Sequence, residues 1–405
     1  MENKGTNQNG LSEMNQSLIL KLLQRNGICS RVELSKLTGL TQASITKIVR
    51  SLMEIELVVE TGLVSGKAGR RSIGLELNVR CFHAIGVKVE RGSFTVGVFD
   101  LRGKLCESQK YAIGFQQSPK DVIGTMKSAI QERIDRHSDI LAIGMAVPGP
   151  YLRAEGKIAL MTKFPKWDQV NFRDEFVHAF SIPLYIEHDA NAGALANWWF
   201  GSYQREIKVL AHMLASEGVG AGIINGDGVL LGHQGTAGEI GHISVDVNGE
   251  LCECGNHGCL ELYCSSIALL KKAEKAVQTH RESKLAGYKK LRYEDVFTAM
   301  KEGDALATGL VHEAARYLGY GVVTLVNAYN PNIVVISDIM TQGGEQMLEW
   351  IRETVKSRII PQLYENLEIC FDDSETDPVL YGAAALVIDK FLLKPGQFLR
   401  NHEHK

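Results

Sequence analysis

Four of the chain's eight cysteines fall between positions 252 and 264, three of them in the run GEIGHISVDVNGELCECGNHGCLE. Within it His242, Cys252, Cys254 and Cys259, spaced HX9CXCX4C, offer one imidazole and three thiolates, the donor set that tetrahedral Zn²⁺ prefers. Gly255 and Gly258 permit the tight turns that would bring Cys254 and Cys259 to one ion. His257 is a competing imidazole, and the bland alternative is a loop of unpaired buried thiols. Four protein ligands leave no place for water, so the expected metal is one structural zinc per chain and not a catalytic one. Cys264, among Leu260 and Leu262, reads as buried. Eight cysteines in 405 residues, without an export signal, read as reduced thiols and not as a disulfide framework.

The first 80 residues carry a different pattern. NQSLILKLLQ (15–24) places Leu18, Ile19, Leu22 and Leu23 at helical spacing, with Asn15 available as a cap and Arg25-Asn26-Gly27 as a stop. Ser30 can cap a second helix over RVELSKLT, with Glu33 completing a capping box and Gly39 ending it. Thr41 then caps TQASITKIVRSLMEIE, whose inward stripe is Ile45, Ile48, Val49 and Leu52. So short a connection between the last two helices predicts a helix-turn-helix. The outward residues Gln42, Ser44, Thr46, Lys47 and Arg50 suit a recognition helix, polar where bases are met and basic where phosphates follow. Two β-prone runs, Leu57 to Glu60 and Ser72 to Leu77, flank a Gly-rich basic loop in which Arg70 and Arg71 could enter a minor groove as a wing. A protein-recruiting three-helix module with a solvated basic face is the alternative.

Net charge of −3 argues against nucleic acid only on average. Residues 1–80 hold 11 Lys+Arg against 7 Asp+Glu, a balance of +4, which leaves −7 for the rest. A basic head on an acidic body suggests two tasks. No run of about 18 uncharged apolar residues occurs and no signal peptide is evident, so no membrane insertion is expected and a cytoplasmic, bacterial location is, on the nucleoid when the head is bound.

From Phe82 the body reads as strand, turn at Arg91-Gly92, strand, turn at Arg102-Gly103, a helix over Pro119 to His137, and a buried strand Leu141 to Gly149. VLAHMLASEGVGAGIING begins a second such cycle, which later reaches the strand Asn332 to Ser337. Two cycles predict duplicated α/β lobes facing a cleft, a place where ligands bind. The expected division is 1–80, a winged helix-turn-helix; 81–189, a first lobe completed by a C-terminal helix at about 376–405; and 190–375, a second lobe with the zinc.

GEIGH with its HX9CXCX4C continuation, the segment HDANA, and ASITKIVR followed by GRR together resemble the ROK family of repressors and sugar kinases, from about residue 12 to the end. The resemblance implies an actin-like, sugar-kinase-like body, and a sugar site at His188, Asp189, Glu239, His242 and Glu261, where carboxylates and imidazoles meet hydroxyls. His242 would serve metal and sugar with its two nitrogens. In family kinases the residue at Asp189 is the base that takes the attacking hydroxyl's proton. Those kinases open the first lobe with a small-residue phosphate loop, which here is VKVERGSF, with Lys88, Val89, Glu90 and Arg91 in its place. EGVGAG (Glu217 to Gly222) partly keeps a second phosphate loop, and SDIMTQGG replaces the adenosine-side glycines. His188 stands where the kinases carry Asn, as in the repressors. Asp189 therefore reads as a vestigial base with no catalytic residues, in a transcriptional repressor of sugar uptake and metabolism genes.

The implied partners are operator DNA, a sugar or sugar-phosphate effector, a second copy in a homodimer or homotetramer, and in one variant a phosphotransferase sugar permease domain. Sugar would favour lobe closure that alters the spacing of paired recognition helices. FHAIGV and AGII resemble the N-acetylglucosamine-responsive branch and point to an N-acetylhexosamine or its 6-phosphate; Trp167 and its KFPKW loop are candidates for lining the site. The alternatives are an active ROK sugar kinase, phosphorylating a hexose or N-acetylhexosamine with ATP, and a sugar-binding protein whose head recruits another protein.

Overall fold

The computed structural model describes residues 8–65, 71–114, 116–160, 167–201, 207–226, 228–375 and 377–399. Its contacts divide into two compact units: residues 1–145, 175–186 and 383–405 form the first, and residues 146–174 and 187–382 the second.

The first unit starts with α1 (Gln8–Asn26), β1 (Cys29–Ser30), α2 (Arg31–Thr38), α3 (Gln42–Glu54), β2 (Val58–Ser65) and β3 (Arg71–Leu77). Helix α1 begins two turns before the expected cap, and Asn15 lies inside it. The Ser30–Glu33 capping box is formed, and Gly39 closes α2 at φ +72°, a left-handed conformation that costs glycine nothing. Thr41 accepts the Ser44 N–H and starts α3, where Ile45, Ile48, Val49 and Leu52 are buried as their spacing requires. β2 and β3 pair antiparallel and β1 joins β3, giving the wing. Arg70 lies outside the described residues, and Arg71 opens β3.

β4 (His83–Glu90), β5 (Ser93–Asp100), β6 (Leu105–Ala112), α4 (Pro119–Arg136), β7 (Ile140–Val147) and, later, β10 (Leu184–His188) build a five-stranded sheet in the order β6-β5-β4-β7-β10. β7 is buried throughout, while edge strand β6 alternates towards solvent. α13 (Pro378–Leu393) and α14 (Pro395–Leu399) return to this unit, where Phe391 meets Phe82 and Phe398 and is fully buried. Most of the apolar residues of α13 that fall in this unit thus pack into its core.

The second unit contains β8 (Tyr151–Leu152), β9 (Lys157–Ile158), α5 (Phe172–Phe176), whose last residues pass to the first unit, and α6 (Asp189–Phe200). Next come β11 (Val209–Ala215), β12 (Val219–Asn225), β13 (Gly228–Val229), α7 (Glu261–Cys264), α8 (Ser266–Ala276), α9 (Tyr293–Lys301), α10 (Ala305–Tyr329), β14 (Ile333–Ser337), α11 (Gly344–Lys356), α12 (Pro361–Tyr364) and β15 (Glu368–Phe371). Its sheet runs β13-β12-β11-β14-β15, with β11, β14 and β15 parallel. Both sheets follow one plan, a three-strand meander extended by two strands beside its first strand. The duplicated cycle read from the sequence is therefore a duplicated sheet.

Candidate functional site

β10 ends at His188 and α6 begins with Asp189, so the two side chains are fixed where a strand becomes a helix. His188 Nε2 donates to Asp189 Oδ1 at 2.9 Å, and that oxygen also accepts the Ala190 N–H at 2.7 Å. Glu187, buried behind them, accepts from the His188 N–H at 3.0 Å and from Asn191 Nδ2 at 3.2 Å, and it forms an ion pair with Arg153. A Cβ at Gly149 would run into the imidazole, and one at Gly220 would touch its Cε1 at 3.5 Å. Glycine at 149 is what lets the chain lie flat on His188.

The GEIGH run is placed by the same device. Cβ atoms at Gly238 and Gly241 would strike the carbonyls of Ala221 and Val219, so only glycine lets this segment lie along β12, and Gly238 has φ +94°. Glu239 precedes and His242 ends a single 3-10 turn there. Glu239 Oε1 lies 3.9 Å from His188 Nδ1, and both atoms are buried without a hydrogen-bond partner among the described residues. Buried polar atoms left unmatched are costly, which is a reason to expect a hydroxyl-bearing ligand between them.

Burial disfavours the His188 imidazolium, but Asp189, then Glu239 and Glu187, outweigh it and hold the group up to about 9. Burial in turn pushes the Glu239 carboxyl up, against the pull of His188 and His242. Asp189, Glu239, His242 and Glu261 keep 19, 21, 20 and 23% of their side chains exposed, so a ligand can reach them, whereas His188 at 5% lies behind.

His242, Cys252, Cys254 and Cys259 bring one donor atom each within 4.8 Å of one another, a cluster that can hold a metal ion. Cys254 Sγ and Cys259 Sγ are 3.6 Å apart, and Cys252 Sγ is 3.8 Å from His242 Nδ1. Gly255 and Gly258 both have positive φ, and a Cβ at Gly258 would strike the Asp246 carbonyl. His257, the competing imidazole, instead meets the Gly249 carbonyl at 3.1 Å. Burial and then the neighbouring thiols push Cys259 up, as expected of thiols crowded for a cation to share. Glu261 Oε1 stands 3.6 Å from both Cys252 Sγ and His242 Nδ1, so it touches the cluster. Cys264 is fully buried, as its neighbours suggested.

On α3, Gln42, Thr46, Lys47 and Arg50 are exposed. Ser44 is half-buried, its hydroxyl 3.0 Å from that of Thr41, which ties it to the cap. Trp167 is 1% exposed and stacks on Phe172, so it is a core residue; the rest of KFPKW lies outside the described residues. Sequence reasoning missed Gly149, Glu187 and Arg153; the PGP run before Tyr151 signalled a turn but not what it covers.

Residues 15–59 match the winged helix-turn-helix DNA-binding family, and residues 84–390 match the ROK family. The chain is 30% identical over 392 residues to the xylose repressor of Caldicellulosiruptor bescii, covering 95% of this chain and 98% of that one. It is 29% identical over 384 residues to the DNA-binding transcriptional dual regulator NagC of Escherichia coli, covering 93% of each. A crystal structure of a ROK family transcriptional regulator, described as a homolog of the E. coli MLC protein, superposes with a TM-score of 0.81 at 27% identity, covering 98% of this chain and all of that one. A ROK glucokinase from Streptomyces griseus, in complex with glucose and AMPPNP, superposes at 0.66 with 25% identity, covering 75% of this chain and 98% of its own. Among the described residues no helix is long and apolar enough to cross a membrane. With a DNA-binding winged helix ahead of an actin-like sugar-kinase body, the chain belongs to the ROK family.

Proposed function

We propose that this chain is a sequence-specific repressor of sugar uptake and metabolism genes, releasing its operator when a sugar occupies His188, Asp189, Glu239, His242 and Glu261. The observation that carries the reading is the joint presence of a capped α3 with an exposed polar and basic face and of a polyhydroxyl-binding set with unmatched buried atoms. Likeness to xylose and N-acetylglucosamine repressors supports it. Gln42, Ser44 and Thr46 would meet base edges, and Lys47, Arg50, Arg70 and Arg71 phosphates or a minor groove. A homodimer or homotetramer would set two α3 helices in successive major grooves, and the functional division would fall near residue 80. Sugar and operator then oppose each other by one coupling free energy, on the order of 1–3 kcal/mol.

The four-donor cluster suits one structural zinc, and zinc there would fix His242 and the approach of Glu261. Several features speak against phosphoryl transfer. Lys88 is buried at 6% exposure and paired with Glu90 at 2.9 Å, so the first hairpin carries an internal ion pair at the place of the kinases' phosphate loop. Glu217 and Asp338 both act on Tyr293, putting carboxylates at the second loop and after β14. Asp189 Oδ1 is already engaged by the His188 imidazole and the Ala190 N–H. The kinase reading is favoured by the retained Asp189 and EGVGAG and by the likeness to a glucokinase.

The deciding experiment selects operators from a random duplex library, then titrates D-xylose, D-glucose, N-acetyl-D-glucosamine and their phosphates against the complex. Operator affinity unchanged across all of them rejects a small-molecule switch and favours sequestration by a phosphotransferase permease domain. Turnover of about 1 s⁻¹ or more in a coupled ATP assay establishes the kinase instead.

A further inference from the structure

We propose that His212 is a positioning residue of the effector site, acting through α6 on Asp189 and His188; the inference rests on the sugar-binding reading above. His212 lies on β11 and is fully buried, beside Asn197 of α6 at 4% exposure and Ser337 of β14 at 0%. Asn197 Nδ2 lies 2.6 Å from Asp372 Oδ2. A carboxylate only accepts, so the amide nitrogen faces Asp372 and Asn197 Oδ1 faces His212 Nδ1, 2.6 Å away. Nδ1 therefore carries the proton, and Nε2 accepts from Ser337 Oγ at 2.9 Å. The chain runs one way, Ser337 to His212 to Asn197 to Asp372, with both ring nitrogens used. Burial pulls the imidazole down to about 4 against Asp372 and Asp189, so it is neutral in this chain of bonds.

These contacts seat α6 along its length. A Cβ at Gly193 would collide with the His212 ring, and one at Gly222 with the Ala190 carbonyl, so the helix lies close at residues 190 and 193 and is bonded at 197. Apolar packing alone tolerates small slides and rotations, whereas directional bonds select one arrangement. Asp189 is the first residue of that helix, and its 2.9 Å bond to His188 breaks with a shift of about 1 Å. Nothing about the sugar-contacting residues requires a histidine at 212; the seat of the helix carrying Asp189 does.

The test compares His212→Asn with His212→Gln in the full-length protein. The Asn amide nitrogen falls near the place of Nδ1 and keeps the bond to Asn197, whereas the Gln amide reaches towards Ser337 and loses it. Both remove the ring, so a merely structural role lowers the melting temperature alike and separates them in nothing else. In spectra of isotope-labelled histidine, His188 should titrate near 9 in the wild type and His212→Asn, and fall towards the ordinary imidazole value of about 6.5 in His212→Gln. Calorimetric titration with D-xylose, D-glucose and N-acetyl-D-glucosamine should give affinities within about threefold of wild type for His212→Asn and about tenfold weaker or worse for His212→Gln. Indistinguishable His188 titrations in the two variants overturn the proposal. A wild type that binds none of the three sugars defeats the sugar-binding reading, and the His188 titration then still decides the role of His212.

Discussion

His188 shows how one buried residue ties stability to pH. Its folded pKa, raised to about 9, exceeds the unfolded value, so the stabilisation is fully present below about 6.5 and is lost as pH rises through 9. Chemical denaturation at a series of pH values should therefore show a midpoint falling between pH 6.5 and 9, and His188→Gln should flatten that fall. A decline of equal size in the variant assigns the effect elsewhere. Glu90 acts at the other end: the Lys88 charge and bonds from Lys88, Ser93 and Lys110 overcome its burial and lower it to about 2, so its contribution is present above about 4.5 and lost as pH falls through 2. Gly149 gives a steric test. Gly149→Ala pushes a methyl into the His188 imidazole and should abolish the sugar response while operator binding persists, as read by anisotropy with and without sugar.

At the scale of elements, α3 and the metal loop were readable for opposite reasons. The α3 stripe and the caps at Ser30 and Thr41 are local, each decided within four residues, and spacing alone places them. The loop was readable because few loops need three thiols and an imidazole. The start of α1 was not readable, since the polar residues before Asn15 offer no periodic stripe. Nor were Glu187 and Arg153, whose meaning depends on a partner 34 positions away in the chain. Thr41→Ala should cost about 1 kcal/mol, measured by denaturant unfolding. Arg50→Ala should weaken all duplexes alike and reduce the salt slope of binding by about one, which salt titration checks. If the cluster holds zinc as proposed, a chelator should release one zinc per chain and open Cys252 and Cys259, both buried, to alkylation; rapid alkylation before chelation contradicts a bound metal.

For the whole molecule, the charge division at about residue 80 and the duplicated sheet plan are both written in the sequence, one as composition and one as a repeated strand cycle. The partition into compact units is not, because the first unit is gathered from three stretches of chain. If two copies read adjacent half-sites, the selected operators should be palindromic with centres about 34–36 Å apart, and inserting half a helical turn between the halves should abolish binding.

That gathering of stretches bears on biosynthesis. Residues 383–392 of α13, nearly all buried, belong to the unit whose sheet is otherwise complete at residue 188, so the two are made roughly 200 residues apart. At about 5–20 residues per second the nascent sheet waits some 10–40 s for its last core helix. A chain cut before residue 383 therefore keeps the helix-turn-helix and lacks core packing of the same unit. Such a product should be cleared by proteases before it can compete for operators.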